Sequence, residues 1–179
     1  MSPPDSRAVV PVIGIVALVA VTVVLAALVG ASAFALADPS VPPTAFVDAD
    51  PPVATAASPG DDQRVTIRHD RGDSIPAEEI ELVVSLPEYD RETRLVGLPT
   101  AGALPAESVD GDDIVDRREN RLVGPAFEGG EWDSGERIGF RIKSYRDDGV
   151  SLAPGDTVVV RIVHVPTGSM LADIEIPVR

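Results

Sequence analysis

Two regimes of hydrophobic patterning divide the chain. From Ala8 to Ala37 run thirty residues without a charge, nearly all Val, Ala, Leu, Ile or Gly. As a helix, at about 1.5 Å per residue, this run would extend about 45 Å, beyond the ~30 Å hydrocarbon core of a bilayer. Further on the period becomes two. Val65, Ile67 and His69 alternate with polar residues, as do Ile80, Leu82, Val84 and Leu86, and then Ile138, Phe140 and Ile142. Each reads as a strand with one face buried. Val158, Val160 and Ile162 share one face and Ile174, Ile176 and Val178 another, with Pro-Thr-Gly-Ser between them as turn chemistry, so a hairpin is expected to close the chain.

Gly-, Pro- and Asp-rich stretches separate these runs, a spacing that suggests about six to eight strands in a sandwich with long loops. Residues 38–62 hold six prolines and no sustained periodicity, and read as an extended linker. The expected fold class is therefore a long N-terminal hydrophobic α-helix joined to an all-β, immunoglobulin-like sandwich over residues 63–179.

Charge narrows the partners. The net charge is −14, from 29 acidic against 15 basic side chains, so the field of the chain repels nucleic acid. Lys143 is the single lysine; the remaining cations are arginines. With few aromatics, this composition suits a surface that stays hydrated at high salt, as in a halophile. Without cysteine the chain has no disulfide, thiolate ligand or thiol nucleophile.

The apolar run admits three readings. As a secretory signal it would be cut at its far end, after Ala37, but it is about twice the usual 7–15 residues. As a permanent anchor it would leave the β domain outside, with Arg7 on the inner side. As a retained helix it would be cut at its near end, since Pro11 costs little in a first helical turn and biases Val10 toward extended, cleavable backbone. Small residues recur at four-residue spacing in Ala26–Gly30 and Ala27–Ala31–Ala35, which lets helix backbones approach closely.

The segment "RAVVPVIGIVALVAVTVVLAALVGA" resembles the N-terminal domain of archaeal type IV pilins. The resemblance implies a prepilin leader at 1–8 and a processing site at Arg7, Ala8 and Val9, with cleavage after Ala8 or after Arg7. Pro11, Val12, Ile13 and Gly14 match the family's opening. Residues 9–37 would then form a membrane and filament-core helix. The implied partners are a prepilin peptidase, the membrane and other pilin subunits, and the precursor would sit in the cell membrane with its β domain outside, ending in a surface filament that serves adhesion. Val10 stands where the family usually has Ser, and the linker is longer than expected of a main subunit. The alternative is a membrane-anchored binding protein that never polymerises.

Little in the chain suits catalysis, and no enzyme, cofactor or metal is expected. His69 and His164 both fall on the apolar parity of strands, where they would either meet around a metal or, more simply, hydrogen-bond near the rim. Asp110–Asp116 brings carboxylates together as a Ca²⁺ loop does, but without that loop's glycine and glutamate, which favours a solvated loop. Trp132, the sole Trp, is expected in the core rather than as an exposed anchor.

Overall fold

In the computed structural model, the structure describes residues 9–35, 41–49, 63–118, 121–144 and 149–179, with side chains in the first segment defined over 14–29. The chain divides into two compact units, Met1–Ser40 and Val41–Arg179.

In the first unit, helix α1 covers Val9–Ala35. Its defined side chains are bare all round: the large aliphatics from Ile15 to Val29 are 54–68 % exposed.

The second unit is built of strands. Strands β1 (Ala45–Ala49), β2 (Arg64–Gly72) and β8 (Arg137–Arg141) form a sheet in the order β1-β2-β8. A five-stranded sheet has the order β10-β9-β4-β5-β6, from β4 (Ile80–Leu86), β5 (Arg91–Leu95), β6 (Val109–Gly111), β9 (Thr157–His164) and β10 (Ser169–Pro177). A short pair joins β3 (Ile75–Pro76) to β7 (Glu131–Trp132), and a four-residue helix α2 covers Pro125–Glu128. Every pairing is antiparallel.

The fold class is thereby corrected. The chain is mostly β, and among the described residues no helix is long and apolar enough to cross a membrane. Among the described residues the two main sheets hold three and five strands, compatible with a β-sandwich, and β1 joins the smaller sheet from within the stretch read as a linker.

Parity explains the packing. Val65 and Ile67 of β2, Ile138 and Phe140 of β8, Leu82 and Val84 of β4, and Val160 and Ile162 of β9 are all fully buried and belong to one apolar cluster. Leu82 lies opposite Ile162, and Val84 opposite Val160, so cross-strand pairs face the core directly. Each such side chain contributes about 1.5–3 kcal/mol by leaving water. The expected closing hairpin forms between β9 and β10, paired from Ser169 opposite His164 to Pro177 opposite Thr157 with a register shift between Met170 and Ala172.

Candidate functional site

The most distinctive polar arrangement lies on the β1–β2 edge. Val65, Ile67 and His69 occupy inward positions of β2, so strict alternation would send Arg71 into the core as well. It does not go there. Phe46 pairs with Arg71 and Val47 with His69, leaving Asp70 as an extra residue that bulges β2. A bulge re-aims the side chains around it. Asp70 and Arg71 are both exposed, on the outer side of the sheet.

The Arg71 guanidinium consequently lies over the Phe46 ring, 4.5 Å from its centroid. Phe46 is 51 % exposed, whereas Phe127 and Phe140 are fully buried. Phe46, Val47, Asp48, Asp70 and Arg71 line an open cavity of about 420 Å³. Asp70 is held by Arg68 at 2.6 Å, and Asp48 Oδ1 accepts the Ala49 N–H at 2.7 Å.

The next turn fixes this edge. The Thr44 N–H donates to Asp73 Oδ2 at 2.9 Å and the Asp73 N–H to the Thr44 carbonyl at 2.8 Å. Gly72 sits between them with φ +132°, and a Cβ there would lie 2.1 Å from the Thr44 oxygen, so only glycine fits. The cleft thus offers an aromatic face, a planar set of N–H donors and two carboxylates, and it holds no nucleophile.

A second open cavity, about 480 Å³, is lined by Gly124, Gly129, Gly130, Glu128, Glu131, Glu136 and Arg137 among others. Its glutamates are engaged locally: Glu128 accepts from the Gly124 N–H, Glu131 from Ser74 and Glu136 from the Asp133 N–H.

The candidate residues named from sequence disperse. His69 lies on β2 and His164 on β9, in different sheets. His69 is buried, its Nδ1 donating to the Trp132 carbonyl at 3.0 Å and its ring 5.3 Å from that indole. His164 bridges Thr167 at 2.8 Å and Glu79 at 3.1 Å. Trp132 is fully buried, its Nε1 donating to the Glu136 carbonyl.

Carboxylates of the 110–116 stretch meet cations of the same chain. Asp112 pairs with Arg91, Asp113 with Lys143 and Arg117, and Asp116 with Arg118. Among the described residues no group of three or more His, Asp or Glu is placed to hold a metal ion.

Arg7 and Ala8 lie outside the described residues, as do the side chains of Val9, Pro11, Val12, Ile13, Gly30, Ala31 and Ala35. Gly14, Ala26 and Ala27 are exposed on α1. Sequence reasoning missed Phe46 and Arg71. The available signals were a lone aromatic in a proline-rich stretch and an arginine breaking the parity of Val65, Ile67 and His69.

No protein-family model matches this chain, and no curated protein matches it.

Proposed function

We propose that this chain is a type IV pilin-like subunit, delivered to the membrane as a prepilin, trimmed near Ala8 by a prepilin peptidase and assembled with other subunits into a surface filament of a halophilic archaeon. The observation that carries this reading is the N-terminal sequence: a charged residue, a small residue and Pro-Val-Ile-Gly open thirty residues without a charge. The exposure of Ile15 to Val29 on α1 supports it, because so much bare aliphatic surface is stable only when lipid or other subunits cover it. Ala26, Ala27, Gly30, Ala31 and Ala35 would provide the close-approach positions between subunits. The acidic β unit, read as a sandwich of two sheets over one core, would face the medium and serve adhesion.

N-terminal sequencing of native protein tests the reading. A start at Ala8 or Val9 supports it. A start at Asp38 indicates ordinary secretion, and one at Met1 or Ser2 a permanent anchor; either refutes subunit processing.

A further inference from the structure

We infer that the outer face of the β1-β2-β8 sheet docks on the acidic outer face of the β10-β9-β4-β5-β6 sheet of a second copy of this chain. On the smaller sheet Arg64 lies directly opposite Arg141, and Arg68 opposite Arg137, with only Thr66 and Gly139 between the two pairs. Like charges opposite one another across strands destabilise a sheet, so folding alone does not ask for this pattern. The bulge at Asp70 brings Arg71 to the same side, exposed. Counted over the strands, five arginines stand there against Asp48 and Asp70, an excess of three positive charges in a chain of net charge −14. Among the described residues Arg64 and Arg71 make no ion pair, and Arg71 has only the Phe46 ring.

The larger sheet carries the complement. Its core-facing parity holds Leu82, Val84, Leu95, Val160 and Ile162, which sends Glu81, Glu92, Asp110, Asp173 and Glu175 outward together with Arg94 and Arg161. Five carboxylates against two arginines leave an excess of three negative charges. Arg94 is taken by Glu81 at 3.5 Å and Arg161 by Glu92 at 3.1 Å, while Asp173 and Glu175, on the edge strand β10, make no ion pair among the described residues. The two faces therefore match in the size of their charge and oppose in its sign, and each leaves groups unpaired for an arginine–carboxylate contact.

Read as a sandwich, the β unit bears these faces back to back. A contact between them is heterologous: each bound copy presents the same free face onward, so the contact propagates as a row or a ring of subunits. Two chains of net charge −14 repel at a distance, but salt at ~0.15 M screens that repulsion beyond about 8 Å and weakens charges closed into a contact far less. That the contact helps to build a surface filament rests on the reading above; the contact itself does not.

The test uses the full chain in a zwitterionic detergent at about 0.15 M salt. The chain has no cysteine, so Thr66→Cys, on the basic face, and Val159→Cys, opposite Glu175 on the acidic one, each carry a single thiol. Mixed and treated with a short bismaleimide, the two variants should cross-link to each other in excess of random pairing; contacts between like faces would enrich the homodimers instead. Adding Arg64→Glu and Arg71→Glu to the first chain should cut the mixed product at least about tenfold. Adding Asp173→Arg and Glu175→Arg to the second should then restore it, a rescue that no folding defect imitates, and unchanged Trp132 fluorescence shows that each variant is folded. The proposal is overturned by random pairing or enriched homodimers, by a mixed product indifferent to the reversal, or by a reversal that the second pair does not rescue. Binding of a polyanion such as heparin through Arg64 and Arg71, without cross-linking between copies, overturns it too. None of these results depends on where the mature chain starts, so failure here and failure of the filament reading are separable.

Discussion

Replacing Gln63 by Met tests how Ile142, Val150 and Leu152 are tied together in the β unit. Gln63 is 2 % exposed, and its side-chain amide works as a surrogate peptide group. Nε2 donates to the Val150 carbonyl at 2.7 Å and, more weakly, to that of Ile142 at 3.3 Å, while Oε1 accepts the Leu152 N–H at 2.7 Å. Val150 and Leu152 are themselves buried, so water cannot readily replace the amide. Methionine fills a similar volume and bonds neither group. Each buried backbone group left without a partner costs about 1–3 kcal/mol, or about 2–6 kcal/mol for two. Extra apolar burial returns about 1 kcal/mol of this, leaving a net loss of roughly 1–5 kcal/mol.

Urea unfolding followed by tryptophan fluorescence measures the loss, because the single Trp is fully buried in this unit. Gln63→Glu adds a control that volume cannot explain. Its carboxylate would point at the Val150 carbonyl, so it should cost more than Met at neutral pH and regain stability on acidification, when the protonated carboxyl can donate again. A Gln63→Met loss within about 0.5 kcal/mol of zero, the range of ordinary surface changes, would refute the reasoning. So would a Gln63→Glu profile flat with pH.

Inserting one residue between Phe46 and Val47 would give Asp70 a partner, restore strict alternation in β2 and turn Arg71 toward the core, costing at least ~3 kcal/mol as a buried charge without its solvent. Asp70→Ala, which keeps the bulge, should cost under ~1 kcal/mol, as exposed ion pairs do; equal losses in urea unfolding would count against the bulge. Tyr89 places its hydroxyl 2.8 Å from both the Ser151 carbonyl and Asp156 Oδ2, its one proton shared between the two acceptors. Desolvation first, then the hydrogen bond and the negative charge of Asp156, push its hydroxyl up from 10 to about 12. The unfolded chain therefore loses this proton before the folded one, so the contribution is whole below pH 10 and disappears as pH rises through about 12. Absorbance titration should show a phenol ionising near pH 12 that Tyr89→Phe removes; a wild-type titration complete near pH 10 contradicts this.

Alternation made most of the β unit legible in the sequence. Val65–His69, Ile80–Leu86, Ile138–Ile142 and the closing hairpin are strands because their apolar residues fall on one parity and the core takes that face. Strand β5 escaped notice because its sequence, Arg-Glu-Thr-Arg-Leu, offers only Thr93 and Leu95 to the core and spends the rest on charges. Strand β1 escaped for a related reason. Its inward residues Ala45, Val47 and Ala49 are small and only partly buried, so tertiary pairing with β2 creates the strand where local pattern reads as linker.

The cleft was less legible still, since it depends on a register shift that neither strand encodes alone. Read by parity, Arg71 belongs inside with His69; only the pairing of Val47 with His69 and of Phe46 with Arg71 reveals Asp70 as the extra residue. The acidic loop shows the opposite limit. Spacing placed the carboxylates of 110–116 close together, but what they meet is decided by Arg91 and Lys143, which arrive from other parts of the chain, as well as by the adjacent Arg117. Periodicity reports which face of a strand is buried. What meets that strand at its edge is set by partners distant in sequence, which is why the sheets could be read from the chain and the polar constellations could not.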